Sequence, residues 1–206
     1  MSRSYPAACL VLLVGCHAPI SGGWRDSARS GEAEALAGAR AAPGLEARYG
    51  GVLSDHKAQF RMEGIARRLV ESYPDLLGRY RIRLLDCEGI NGLSLPGGYI
   101  YLTKGLYRRL ASDELIAAVL AHEMAHILVK DHFKPRCGDM ECALKKELSA
   151  DSRGADILAS AGISSTHLAD LIRIIADTQP PGWVRARLEN LHDRTAQPTG
   201  QVVAVQ

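Results

Sequence analysis

A chain of 206 residues with 47 % hydrophobic and 23 % charged residues can bury one real core, and with its ends set aside it reads as a single compact module. The formal net charge of +2 and a pI near 8.3 are too mild to suggest a nucleic-acid binder, and no basic stripe is interleaved with aromatics. Electrostatics therefore nominates no partner.

Residues 1–15 read as a secretion signal: Arg3 supplies the positive start, "AACLVLLV" is a short apolar run, and "LVGC" closes it at Cys16. The run is too short for a membrane-spanning helix, which needs about 20 residues. "LVGC" resembles the lipobox of bacterial lipoproteins, in which the cysteine becomes residue one and carries lipid, so Cys16 is the expected anchor. His17 after it fits outer-membrane delivery. Residues 16–51, rich in Ala, Gly, Ser and Arg without sustained periodicity, read as a flexible tether, and residues 52–194 as the folded domain. Residues 195–206 read as a disordered tail.

From Ser54 the pattern is helical, with Ser54 or Asp55 as cap and Phe60, Ile65, Leu69 and Val70 on one side until "YPDLLG" stops it. "RYRIRLLDC", "NGLSL" and, after the turn signal "PGG", "YIYLT" predict a sheet of about three strands with an exposed edge. A short helix over "GLYRRL" comes next. Ser112 then caps a long helix, with Asp113 and Glu114 in its first turn, that is predicted to run to about Phe133. Further helices are expected from about Glu141 to Ser160, Thr166 to Asp177 and Trp183 to His192. The expected class is α+β: a mostly helical domain with a small sheet of about three strands. Cys137 and Cys142 flank "GDME" and suggest a local disulfide, with Cys87 left free and buried.

The chemistry concentrates in "LAHEMAHILVKDH", residues 120–132. Two histidines four apart on a helix lie about 40° apart around the axis and about 6 Å apart along it, so His122 and His126 can reach one ion. Glu123, rotated about 100° from His122, sits beside such an ion as a base for water rather than as a ligand. Catalytic zinc takes three protein ligands, so one more is needed. His132 falls on the third-histidine position of one known spacing, but Val129 stands where that pattern has glycine, and a continuing helix turns His132 away. "ELSAD" offers a better candidate: a helix returning from about residue 140 brings Glu147 to the level of His126, with Asp151 on the same face to support a ligand histidine.

These segments resemble the M48 family of zinc metallopeptidases, in its bacterial lipoprotein type, over about Leu85 to Leu191. "ASDELIAAVLAHEMAHILVKDH" is similar to the family helix around His-Glu-x-x-His, "ELSAD" to its Glu-x-x-Ala-Asp, and "NGLSLPGGYIYLTKGL" to its block around Pro-Gly-Gly. The resemblance implies one zinc ion per chain on His122, His126 and Glu147, Glu123 as general acid and base, and Asp151 orienting a ligand. It also implies that the strand after Pro-Gly-Gly borders the cleft, so that Tyr99, Ile100 and Tyr101 would bind extended substrate through the backbone. "TQPPGWVRARLENL" resembles the family's His-Pro-x-x-x-x-Arg element, with Gln179 where histidine is common and Arg185 in the arginine position, a candidate to stabilise an oxyanion.

The expected function is a zinc endopeptidase of the bacterial cell envelope, lipid-anchored through Cys16 and facing the periplasm. Its substrates would be proteins or peptides, and no nucleic acid is expected. The alternative is a zinc-binding quality-control or chaperone-like module of the outer membrane that cleaves little or nothing. Intact Glu123 favours the enzyme.

Overall fold

The computed structural model describes residues 31–73 and 80–196; the leader, Cys16, the "PDLLG" stop and residues 197–206 of the expected tail lie outside them, while residues 195 and 196 of that tail are helical. The helices are α1 (Gly31–Arg48), α2 (His56–Ser72), α3 (Lys104–Arg109), α4 (Asp113–Leu128), α5 (Met140–Ser160), α6 (Thr166–Ile174) and α7 (Pro181–Ala196). The strands are β1 (Arg81–Leu85), β2 (Gly92–Leu95) and β3 (Tyr99–Thr103). The α+β class with a three-stranded sheet is as expected.

β3 is the middle strand, parallel to β1 and antiparallel to β2. Because side chains alternate across a sheet, Ile82, Leu84, Ile100 and Leu102 enter the main core with α2 and α4, while Leu85, Leu93, Leu95 and Tyr101 form a second cluster on the opposite face. That second face is covered by α1 through Ala42 and Leu45. A helix over Gly31–Arg48 corrects the expected tether over 16–51 for that part of it. Its small residues give little apolar periodicity, but they let it lie close: Gly38 abuts the Pro96 carbonyl and the Tyr99 ring, where a Cβ would clash. Polar ties hold it too, the Tyr101 hydroxyl donating to Glu46 Oε1 at 2.9 Å.

The packing face of α2 also differs from the expected one. Ala58, Met62, Ala66 and Leu69 are buried, whereas Phe60 is 79 % exposed. Asp55 caps the helix, accepting from the Ala58 amide at 2.9 Å. The centre of the molecule is α4, buried continuously from Ile116 to His126 and packed against α2, α5, α6 and the sheet. An all-round apolar helix of this kind belongs inside a core.

α4 ends at Leu128, short of the predicted Phe133. Lys130 adopts the left-handed conformation (φ 54°) and a 3-10 turn covers Asp131–Phe133. The chain then returns as α5, whose first turn is capped by Asp139 and stapled by the expected Cys137–Cys142 disulfide. Cys87 is buried as expected, but it is disulfide-bonded and not the free thiol left over from a Cys137–Cys142 pair.

Candidate metal centre

Helices α4 and α5 approach closely because small residues line their contact. Gly154 of α5 faces the His122 backbone, where an added Cβ would lie only 3.4 Å from Cα and N of His122. This brings Glu147 opposite the two histidines. His122 Nε2 lies 3.4 Å from Glu147 Oε2, His126 Nε2 lies 3.6 Å from Glu147 Oε1, and the two Nε2 atoms are 3.2 Å apart. One donor atom from each of the three residues falls within 4.8 Å of the others, and all three residues are buried.

The other nitrogen of each ring meets a carboxylate. His122 Nδ1 is 3.0 Å from Asp151 Oδ1, and His126 Nδ1 is 2.8 Å from Asp131 Oδ2. The hydrogen bond to Asp131 holds the proton on Nδ1 of His126, and the nearby charge of Asp151 favours it on Nδ1 of His122, leaving each Nε2 lone pair free. Two neutral imidazoles with lone pairs facing at 3.2 Å repel unless a cation lies between them. The donor set therefore fits zinc, which takes His nitrogen and carboxylate oxygen and retains an open position. The charges agree: four buried carboxylates, Glu123, Asp131, Glu147 and Asp151, face two cations, Arg187 and Lys134, an excess that a divalent ion matches.

Burial alone would raise the pKa of Glu147, but the imidazoles and Arg187 override it and bring it down to about 2. Asp131 follows the same pattern, held at about 2 by His126 and Lys134 against its own burial. Asp151 is held lower still, chiefly by Arg187 against burial. Burial would lower the His122 pKa, yet Asp151 and Glu147 raise it to about 10. Without metal, the site can hold a proton on His122.

Glu123 is 4 % exposed and lies against the sheet, and Gly92 is the reason it fits: a Cβ there would be 2.8 Å from Glu123 Oε1. His132 stays out of the centre, as expected, with Nε2 2.8 Å from the Ser94 carbonyl oxygen.

Three expectations are revised. Arg185 is exposed on α7, and the arginine at the centre is Arg187, 1 % exposed. Its Nε and Nη2 donate to Asp151 at 2.7 and 2.6 Å, and its Nη1 donates to Gln179 Oε1 at 3.2 Å and lies 3.5 Å from Glu147 Oε2. Trp183, Arg187 and Leu191, buried at four-residue spacing, were the available signal, since Arg187 sits on the apolar stripe of its helix. Nor do Tyr99, Ile100 and Tyr101 offer an edge: β3 is paired on both sides and Ile100 and Tyr101 are fully buried, so among the described residues the free edge near Glu123 belongs to β2. The third revision is the end of α4: with the helix stopping at Leu128 and not at Phe133, Asp131 comes beside His126, a partner the sequence did not signal.

Residues 89–143 match the sequence model of peptidase family M48. A Vibrio cholerae protein classed as a beta-barrel assembly-enhancing protease is 30 % identical over 76 residues, 37 % of this chain. Over this central segment the chain is similar to the M48 peptidases. The alignment covers 16 % of the Vibrio protein, so this chain spans only a small part of that relative's length. The family match includes the whole of α4 and the β2–β3 hairpin, and it stops just inside α5, before Glu147.

Proposed function

We propose that this chain is a zinc endopeptidase of the M48 type acting on protein or peptide substrates in the bacterial cell envelope. The observation that carries the reading is the convergence of His122 Nε2, His126 Nε2 and Glu147 with each imidazole backed by its own carboxylate and Glu123 alongside. His122, His126 and Glu147 would hold one zinc ion, which supplies Lewis acidity toward the scissile carbonyl and lowers the pKa of a water toward about 7. Glu123 accepts the proton of the attacking water and returns it to the departing nitrogen, so one carboxylate serves as base and then acid. Asp151 and Asp131 keep the two rings in the ligating tautomer, and Arg187 holds Asp151 in place from behind.

Substrate would lie along β2 rather than β3. Thr103 N–H donates to the Asn91 carbonyl, and in the antiparallel register the hydrogen-bonded pairs alternate, so the backbone groups of Gly92 and Ser94 point away from β3. Backbone pairing there is tolerant of side-chain sequence, which suits unfolded segments. The lipobox at Cys16 would tether the domain to the envelope membrane with its cleft toward the periplasm. Among the described residues no helix is long and apolar enough to cross a membrane. The name of the Vibrio relative is consistent with an envelope address.

The test is cleavage of an unfolded protein by the zinc-loaded chain beside Glu123→Gln. Activity lost in the variant with zinc retained supports the peptidase. Absence of cleavage by both, with zinc bound, favours the non-proteolytic quality-control module.

A further inference from the structure

Among the described residues, the outward edge of β2 is open at one end and capped at the other. Gly92 lies against Glu123, at the reacting end. Two residues on, roughly 7 Å along the strand, the Ser94 carbonyl oxygen that would accept a substrate amide is met by His132 Nε2 at 2.8 Å. The surroundings reinforce the cap. Lys130, at the left-handed turn just before His132, bridges to Glu34 of α1 at 2.6 Å. Gly97, in the turn after β2, is packed so tightly on Ala35 that a Cβ would sit 2.4 Å from its Cα. Helix α1 and the α4 turn thus meet across the far end of the strand.

Antiparallel pairing is the more stable mode for an added strand. A substrate aligned that way runs from Gly92 toward Ser94 as it runs toward its own N-terminus. Building on the proposed peptidase reading, we propose that His132 is a specificity-determining residue, closing the β2 edge at Ser94 so that substrates pair with Gly92 but gain nothing from residues further on the N-terminal side of the cleaved bond. The enzyme would then favour cleavage sites with short N-terminal flanks, or those whose recognition lies on the C-terminal side.

The experiment uses N-acyl peptide hydroxamates, whose metal-binding group stands at the C-terminus, lengthened one residue at a time toward the N-terminus from one to four. Inhibition or binding is measured on the zinc-loaded full chain, on His132→Ala and on His132→Gln, which keeps a donor for Ser94. Zinc content and melting temperature are checked for each. The expected result is a plateau in wild-type affinity after about two residues, a continued gain of about fivefold per backbone hydrogen bond in His132→Ala, and a return toward the plateau in His132→Gln. Affinity that climbs through four residues in wild type as it does in His132→Ala overturns the proposal, and so does the same plateau in both. If no hydroxamate of any length binds the zinc-loaded wild type and no cleavage is seen, the peptidase reading itself fails and this proposal falls with it.

Discussion

At the scale of single residues, the centre is two imidazoles, each fixed by a carboxylate, facing a third carboxylate from another helix. Glu147→Gln removes a ligand charge and should weaken zinc retention strongly, whereas His132→Ala, acting on a strand carbonyl, should leave it nearly intact; dialysis against a chelator with metal analysis separates them. His122, raised to about 10 in the metal-free site, is protonated at pH 8 and must lose that proton to bind metal. Zinc uptake at pH 8 should release about one proton per ion from this group, read by calorimetry in buffers of different ionisation enthalpy. The carboxylates have the opposite sign. Glu147 and Asp131, depressed to about 2, favour the folded metal-free state above the ordinary carboxylate pKa of about 4, and that contribution is lost as pH falls from about 4 toward about 2. Acid titration of metal-free melting temperature should show its decline in that window. Arg187→Met leaves Asp151 buried without its cation and should cost about 3–5 kcal/mol in denaturant unfolding, with a smaller loss for Arg187→Lys.

At the scale of elements, the site depends on where α4 stops. Had it continued to Phe133, Asp131 would point away from His126; the left-handed Lys130 turns the chain so that Asp131 lies beneath the ring. No glycine marks that turn, and a lysine with positive φ is uncommon, so the stop was not readable from local preference. The disulfide staples the connection into α5, ahead of Glu147. Replacing Cys137 and Cys142 by serine opens a short loop and should cost about 2 kcal/mol on chain-entropy grounds, measurable as a lower unfolding midpoint against the oxidised wild type. The sheet shows the same limit on local reading: all three strands were legible from alternation and turn residues, but their order was not. Alternation says which side chains share a face, not which neighbour a strand pairs with, and β3 went to the middle because both its edges found partners.

At the scale of the whole molecule, the domain begins earlier than composition implied. Helix α1 covers Leu93, Leu95 and Tyr101 and braces the end of β2 through Glu34 and Lys130. A chain starting at residue 52 should therefore expose that face and melt well below one starting at residue 28, with aggregation on heating as a second sign; equal melting temperatures would restore the boundary at 52.

What the sequence determined by itself was most of what helical or strand period governs, the packing face of α2 and the end of α4 excepted: the His-Glu-x-x-His face, Glu147 with Asp151 one turn on, the Asp55 and Ser112 caps, the three strands and the α+β class. Those features are set within a few residues, where backbone geometry alone decides which side chains lie together. Only the tertiary structure decided that Arg187 and not Arg185 enters the centre, that Asp131 serves His126, that β2 and not β3 is the free edge, and that Ala- and Gly-rich residues form a covering helix. Each of these is a contact between segments distant in sequence, chosen by which buried charge needs a partner and which apolar face needs a cover.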